Sequence, residues 1–121
     1  MRFIYVALGE AIGAACRYAL SLIPIKSDFP FITMITNIFG ALLIGFVVGL
    51  ASEKKDLSPN LLLFLKTGVC GGFTTFSTFS LEALTLLENK AYGQGIAYIL
   101  LSCILCIIGV ICGRKLSAMI A

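Results

Sequence analysis

The chain contains no histidine, and aspartate occurs only at Asp28 and Asp56. Without an imidazole there is no histidine-based nucleophile triad and no histidine metal site, and two aspartates make the usual hydrolytic constellations hard to assemble. Charge is scarce as well: 12% of the 121 residues are charged against 60% hydrophobic, and the mean hydropathy is +1.06. Soluble domains carry about 45–50% apolar residues, so a water-soluble single domain is not expected. A bilayer span takes roughly 20 largely apolar residues. The 121 residues therefore hold at most four or five spans with short connections, and leave no room for a separate soluble domain. The net charge of +3 is scattered and forms no basic stripe of the kind a nucleic-acid binder shows. These shortages move the reading from enzyme toward transport.

Five cysteines, Cys16, Cys70, Cys103, Cys106 and Cys112, make an odd number, and all lie within apolar stretches. A disulfide framework does not fit this pattern. Cys103 and Cys106 have C-x-x-C spacing, but their surroundings read as a membrane helix rather than a redox-active turn. They are expected to be small polarizable packing residues.

Apolar runs cover residues 3–24, 31–51, 61–87 and 95–112, separated by short turn-rich segments at 24–30, 53–60 and 88–94. No ten-residue alternation suggests a barrel, so the expectation is an all-α membrane protein, a single four-helix domain over residues 1–121 with antiparallel neighbours. Arg2 ahead of an apolar run, and Gly13-Ala14-Ala15-Cys16, faintly resemble a cleaved lipoprotein signal. Glu10 in mid-run, and Gly13 where such boxes want a large aliphatic residue, argue that the first helix is retained. Arg2, Lys54, Lys55, Lys66, Arg114 and Lys115 fall on one side, and Arg17, Lys26 and Lys90 on the other. Six against three favours both termini inside, but with basic residues on both sides insertion in both orientations stays open.

The third run carries the informative polarity: Gly71-Gly72-Phe73-Thr74-Thr75-Phe76-Ser77-Thr78-Phe79-Ser80-Leu81-Glu82. On an unbroken helix these hydroxyls would point in nearly every direction, lipid included. Either the helix is broken, or protein surrounds it and the hydroxyls bond to their own i−4 carbonyls. The Gly71-Gly72 pair favours a break, and carbonyls freed there can ligate a cation, as in discontinuous transporter helices. Phe73, Phe76 and Phe79 recur at i, i+3, i+6 and are expected to form one stripe, whose ring edges can approach an anion without a full charge.

Other spans add fewer polar positions. Thr33, Asn37, Gly40 and Ala41 share a face of the second; Asn37 reads equally as interhelical glue or as pore lining. Tyr98, Ser102 and Cys106 form a weakly polar line along the fourth, continued by Gly109 and Gly113. In the first, Glu10 and Arg17 stand seven residues apart, too far to pair within one helix. Arg17 reads as a snorkelling end residue or as an electropositive vestibule group.

The third-span run resembles the signature of the Fluc/CrcB-type fluoride channels. Gly-Ala-Ala-Cys-Arg-Tyr at 13–18 is similar to that family's first helix, and Thr-Asn-Ile-Phe-Gly-Ala-Leu-Leu-Ile-Gly at 36–45 to its second. The resemblance extends over essentially the whole chain. It implies a dimer of two oppositely inserted subunits in a bacterial cytoplasmic membrane, with two fluoride pores and a sodium ion at the centre. Carried onto this sequence, the backbone carbonyls of Gly71 and Thr74 would hold Na⁺. Phe76 and Phe79 would present ring edges to fluoride, Asn37 would be the second-helix pore asparagine, and Tyr98 and Ser102 a polar track. Ser77, Thr33, Glu82 and Arg17 match further pore-associated positions. Cys106 departs from the pattern, where a serine is usual, which weakens the donor at the end of the track. The charge bias leaves open a pairing with an oppositely biased paralogue instead of a homodimer. The rival reading is a small proton-coupled exporter of organic cations with Glu10 as its coupling carboxylate.

Overall fold

A computed structural model describes residues 1–54 and 56–120, and its regular elements are all helical. Lys55, one of the residues used to read orientation, lies outside the described residues. Helix α1 (Arg2–Ser21) stops three residues before the end of its apolar run, since Pro24 disfavours helical backbone at Ile23. Helix α2 spans Phe31–Glu53. The third run is composite: α3 (Pro59–Leu63, opened by its proline), a π-helical segment at Phe64–Cys70, the short α4 (Gly71–Phe73), two extended residues, and α5 (Phe76–Glu88). Helix α6 runs Tyr92–Ile120, beyond the 95–112 run at both ends. At 1.5 Å per residue it is about 44 Å long, so it overhangs a hydrocarbon core of about 30 Å. Four stretches, Arg2–Ser21, Phe31–Glu53, Pro59–Glu88 and Tyr92–Ile120, are long and apolar enough to cross a membrane.

Small residues set the packing. Helices α2 and α6 lie along one another with backbones in near contact: a Cβ added at Gly45 would meet the Val110 carbonyl, and one at Gly113 the Leu42 carbonyl. Helix α1 approaches the composite span in the same way, with Gly9 over Phe64 and Gly68, and Gly13 over Val69 and Phe73. Such contacts replace the hydrophobic drive that helices lose among lipid tails. A buried hydrophobic cluster of Phe79, Ala83, Leu86 and Tyr98, flanked by Phe29 and Met34, ties α5 to α6 and to the entry of α2. Helix α5 closes in a Schellman motif: the Ala91 amide bonds the Leu86 carbonyl at 2.9 Å, the Lys90 amide bonds Leu87 at 3.1 Å, and Lys90 takes φ 62°.

The break is real, and it does not fall on the glycine pair. Gly71 is helical at φ −62°, ψ −40°, whereas Thr74 (φ −85°, ψ 156°) and Thr75 (φ −148°, ψ 117°) are extended. The physical reason is packing. A Cβ at Gly72 would collide with the Glu10 carbonyl, so these glycines admit α1 and leave the chain to open at the threonines that follow. The break also divides the expected phenylalanine stripe. Phe73 is buried against Phe39 with ring centroids 5.9 Å apart, while Phe76 stands 77% exposed beyond the break.

Candidate functional site

Interrupting a helix in mid-span strands backbone amides on one side and carbonyls on the other, and each needs a partner. Asn37 supplies two. Its Oδ1 accepts from the Thr75 amide at 2.8 Å and its Nδ2 donates to the Thr75 carbonyl at 3.0 Å, a two-point clamp on the extended backbone. The Thr75 hydroxyl caps α5, accepting from the Thr78 amide at 3.2 Å and donating to Thr78 Oγ1 at 3.1 Å. On the other side, Arg17 Nε donates to the Gly72 carbonyl at 3.1 Å, which places a cation at the carbonyl end of the interrupted helix, where its dipole is negative. Thr74 Oγ1, Ser80 Oγ and Thr85 Oγ1 each bond the carbonyl four residues earlier. Both sequence alternatives are therefore realised together: the helix opens, and several hydroxyls back-bond.

Two carbonyls gain nothing from this arrangement. The amides that would close onto Gly71 and Thr74 in a continuous helix belong to Thr75 and Thr78, and both are engaged elsewhere, by Asn37 and by the Thr75 hydroxyl. Gly71 is exposed and Thr74 half-buried.

Beside the break lies an open, largely apolar cleft of ≈ 400 Å³ between α2, the break, α5 and α6. It gathers Asn37, Gly71, Thr74, Phe76, Phe79 and Ser102 of the positions singled out from the sequence, together with Cys106. The Phe76 and Phe79 rings are neighbours, with centroids 5.5 Å apart, Phe76 exposed and Phe79 buried. Ser102 is 4% exposed, and among the described residues its buried Oγ has no hydrogen-bond partner. A buried hydroxyl left unbonded by the protein is uncommon, and it keeps a donor to offer to whatever enters the cleft. The amino end of α5, with its partial positive charge, opens at the same place.

Tyr98, Glu82 and Thr33 form a separate cluster next to the cleft. The Tyr98 hydroxyl donates to Glu82 Oε1 at 3.1 Å, with Thr33 beside the phenol, and the ring packs on Phe79 at 5.1 Å and on Phe29 at 5.5 Å. The line Tyr98–Ser102–Cys106 is thus divided between two environments that meet at Phe79. Ser77 is exposed, its Oγ 3.4 Å from that of Thr75, and Arg17 sits on the α1 side of the break. Sequence reasoning left out Thr75, which holds the break together, and Phe29, a loop residue against Tyr98. The signal for Thr75 is its position as a capping hydroxyl just ahead of an apolar helical run. Cys70, read as packing, lines the cleft wall.

Comparison with known proteins gives the family. A family model described as "CrcB-like protein, Camphor Resistance (CrcB)" matches residues 4–114. The chain is 42% identical over 117 residues to a protein of Clostridium perfringens named "Fluoride-specific ion channel FluC", covering 94% of this chain and 91% of that one. A protein of the same name from Ruminiclostridium cellulolyticum is 42% identical over 121 residues, 98% of this chain and 93% of its own. One from Ruegeria sp. is 50% identical over 103 residues, covering 80% of this chain and 79% of its own. The match takes in the clamp, the break and the cleft alike. With four helices fit to span a bilayer and an interrupted third span, the chain is a multi-pass membrane protein that belongs to the CrcB/FluC fluoride channel family.

Proposed function

We propose that the chain forms a passive fluoride channel that carries F⁻ out across a bacterial cytoplasmic membrane. The observation that carries this reading is the buried, unbonded Ser102 hydroxyl on the cleft wall next to the Phe79 and Phe76 rings. A hydroxyl, the second N–H of the Asn37 carboxamide and aromatic ring edges offer an anion partial positive charge without a full countercharge that would hold it. Closely spaced donors of this kind replace the water of a small anion better than that of a larger halide. Tyr98, with Glu82 and Thr33 beside it, continues the polar path past Phe79, and Ser77 and Arg17 bias its approaches. Direction comes from the membrane potential, worth about 2.3 kcal/mol per charge per 100 mV, which expels anions from an inside-negative cell. The fluoride reading leaves the exporter alternative, with Glu10 as coupling group, without support from the relatives.

We read the working unit as an antiparallel homodimer of oppositely inserted subunits with two pores. The mixed placement of basic residues and the many exposed apolar side chains on α1 and α6 support it. A central Na⁺ would be held by the Gly71 and Thr74 carbonyls of both subunits. Those two carbonyls fit a hard cation, because each has lost its helical amide to another acceptor. The ion would supply positive charge that locks the two breaks together.

The test is fluoride efflux from liposomes containing the purified chain, read with a fluoride electrode beside chloride-loaded vesicles. Rapid valinomycin-dependent loss of fluoride but not chloride is expected. Chloride loss at a similar rate would overturn the selectivity, and no flux from a folded dimer would overturn the reading.

A further inference from the structure

Phe29 belongs to no helix, yet it packs on a fully buried ring. It stands half-buried in the connection at 22–30 between α1 and α2, and its ring meets that of Tyr98 edge to face, with centroids 5.5 Å apart and planes at 81°. The local chain holds it there. Its amide donates to Ser27 Oγ at 3.2 Å, its carbonyl accepts from the Phe31 amide at 2.8 Å, Pro30 fixes the next backbone torsion, and the Phe31 ring lies 4.7 Å away. Thr33, beside the Tyr98 phenol, follows in the first turn of α2, so one entry into the membrane brings both a ring and a hydroxyl to Tyr98. The other ring on Tyr98, that of Phe79, comes from α5, the helix that also carries the phenol's acceptor Glu82. Ser102 lies about 6 Å further along α6, so Tyr98 comes between the unbonded hydroxyl of the cleft and the connection that carries Phe29.

We propose that Phe29 is a positioning residue for fluoride conduction: its ring holds the Tyr98 phenol on Glu82 and so fixes where the O–H stands along the path. This rests on the channel reading above. A phenol has a single O–H to donate and an ionised carboxylate only accepts, so the direction of that donor follows from where the ring is held. A polar group serves a passing ion only while packing locks its torsions. Phe79 lines the cleft, whereas Phe29 stands outside the cleft wall and acts through Tyr98. An aliphatic side chain of similar size keeps the apolar contact but lacks the quadrupole that makes an edge-to-face contact directional.

The experiment is fluoride efflux from liposomes for wild type, Phe29→Leu, Phe29→Tyr, Tyr98→Phe and the double variant Phe29→Leu with Tyr98→Phe, each reconstituted as folded full-length protein in equal amount. Phe29→Leu is expected to slow efflux about fivefold. Phe29→Tyr, which keeps a ring at 29, stays within about twofold of wild type. Tyr98→Phe removes the hydroxyl but keeps its ring, so nothing remains for Phe29 to aim, and the double variant is expected to match Tyr98→Phe alone. A double variant slowed by the product of the two single effects overturns the proposal, because a ring that only supports the fold, or that touches the ion itself, acts independently of the hydroxyl. Undiminished efflux in Phe29→Leu or in Tyr98→Phe overturns it too, as does Phe29→Tyr running as slowly as Phe29→Leu. No efflux from folded wild type brings down the channel reading instead. Should Phe29→Leu fail to fold, Phe29→Met takes its place, and failure of both overturns the proposal by making Phe29 a residue of the fold. Should either Tyr98 variant fail to fold, the Phe29→Tyr rate alone decides.

Discussion

The α2–α6 pair and the composite third span solve the same problem in opposite ways. Helices α2 and α6 keep every mid-membrane backbone group inside a continuous ladder and use glycines to bring two ladders close, with Gly45 against Val110 and Gly113 against Leu42. The third span opens its ladder and relies on side chains from elsewhere: Asn37 from α2 on Thr75, Arg17 from α1 on Gly72, and Thr75 on Thr78. The difference teaches that polarity at membrane depth does not itself mark function. Most polar atoms around the break are occupied in holding it open. Among the described residues, the informative ones are those left over: Ser102 Oγ, and the Gly71 and Thr74 carbonyls whose helical amides are engaged elsewhere.

The largest expected effect comes from removing the clamp. Asn37→Leu leaves the Thr75 amide and carbonyl without partners in a half-buried site, and should destabilise the fold by about 2–4 kcal/mol, measured by thermal unfolding in detergent. A change within error would mean that the break holds itself. On the continuous side, Gly113→Val drives a branched side chain into the Leu42 carbonyl and should cost about 1–3 kcal/mol by the same assay. Its damage should be to the α2–α6 contact, so hydrogen exchange should rise in those helices before it rises in α5. The smallest effect lies outside both regions. Lys90 holds the left-handed position of the α5 cap, and Lys90→Gly relieves its Cβ, raising stability by about 0.5 kcal/mol. A loss there would contradict the reading of that cap.

Much of this was legible in the chain because a bilayer imposes long apolar runs, and four such runs announce four helices. The break was legible as a class of event, from too many hydroxyls in one span, but not in position. Gly71-Gly72 carries the stronger local signal, and what it encodes is the approach of α1. The opening at Thr74-Thr75 depends on Asn37, a partner 38 residues away. Arg17 reads from the chain first as a snorkelling residue and second as a vestibule group, and neither reading finds its acceptor, which lies 55 residues along the chain. The period of four in Tyr98, Ser102 and Cys106 placed them on one side of α6. It did not reveal that the long Tyr98 side chain reaches Glu82 while Ser102 stays bare.

The most direct test is Ser102→Ala, read twice, by thermal unfolding and by fluoride efflux from liposomes. A hydroxyl that the fold leaves unbonded contributes little to stability, so unfolding should move by no more than about 0.5 kcal/mol. A donor that faces the conducted anion should, when removed, slow efflux about tenfold, the rate equivalent of about 1.4 kcal/mol. A destabilised protein with undiminished efflux would contradict the account, because Ser102 would then belong with the atoms that hold the fold together.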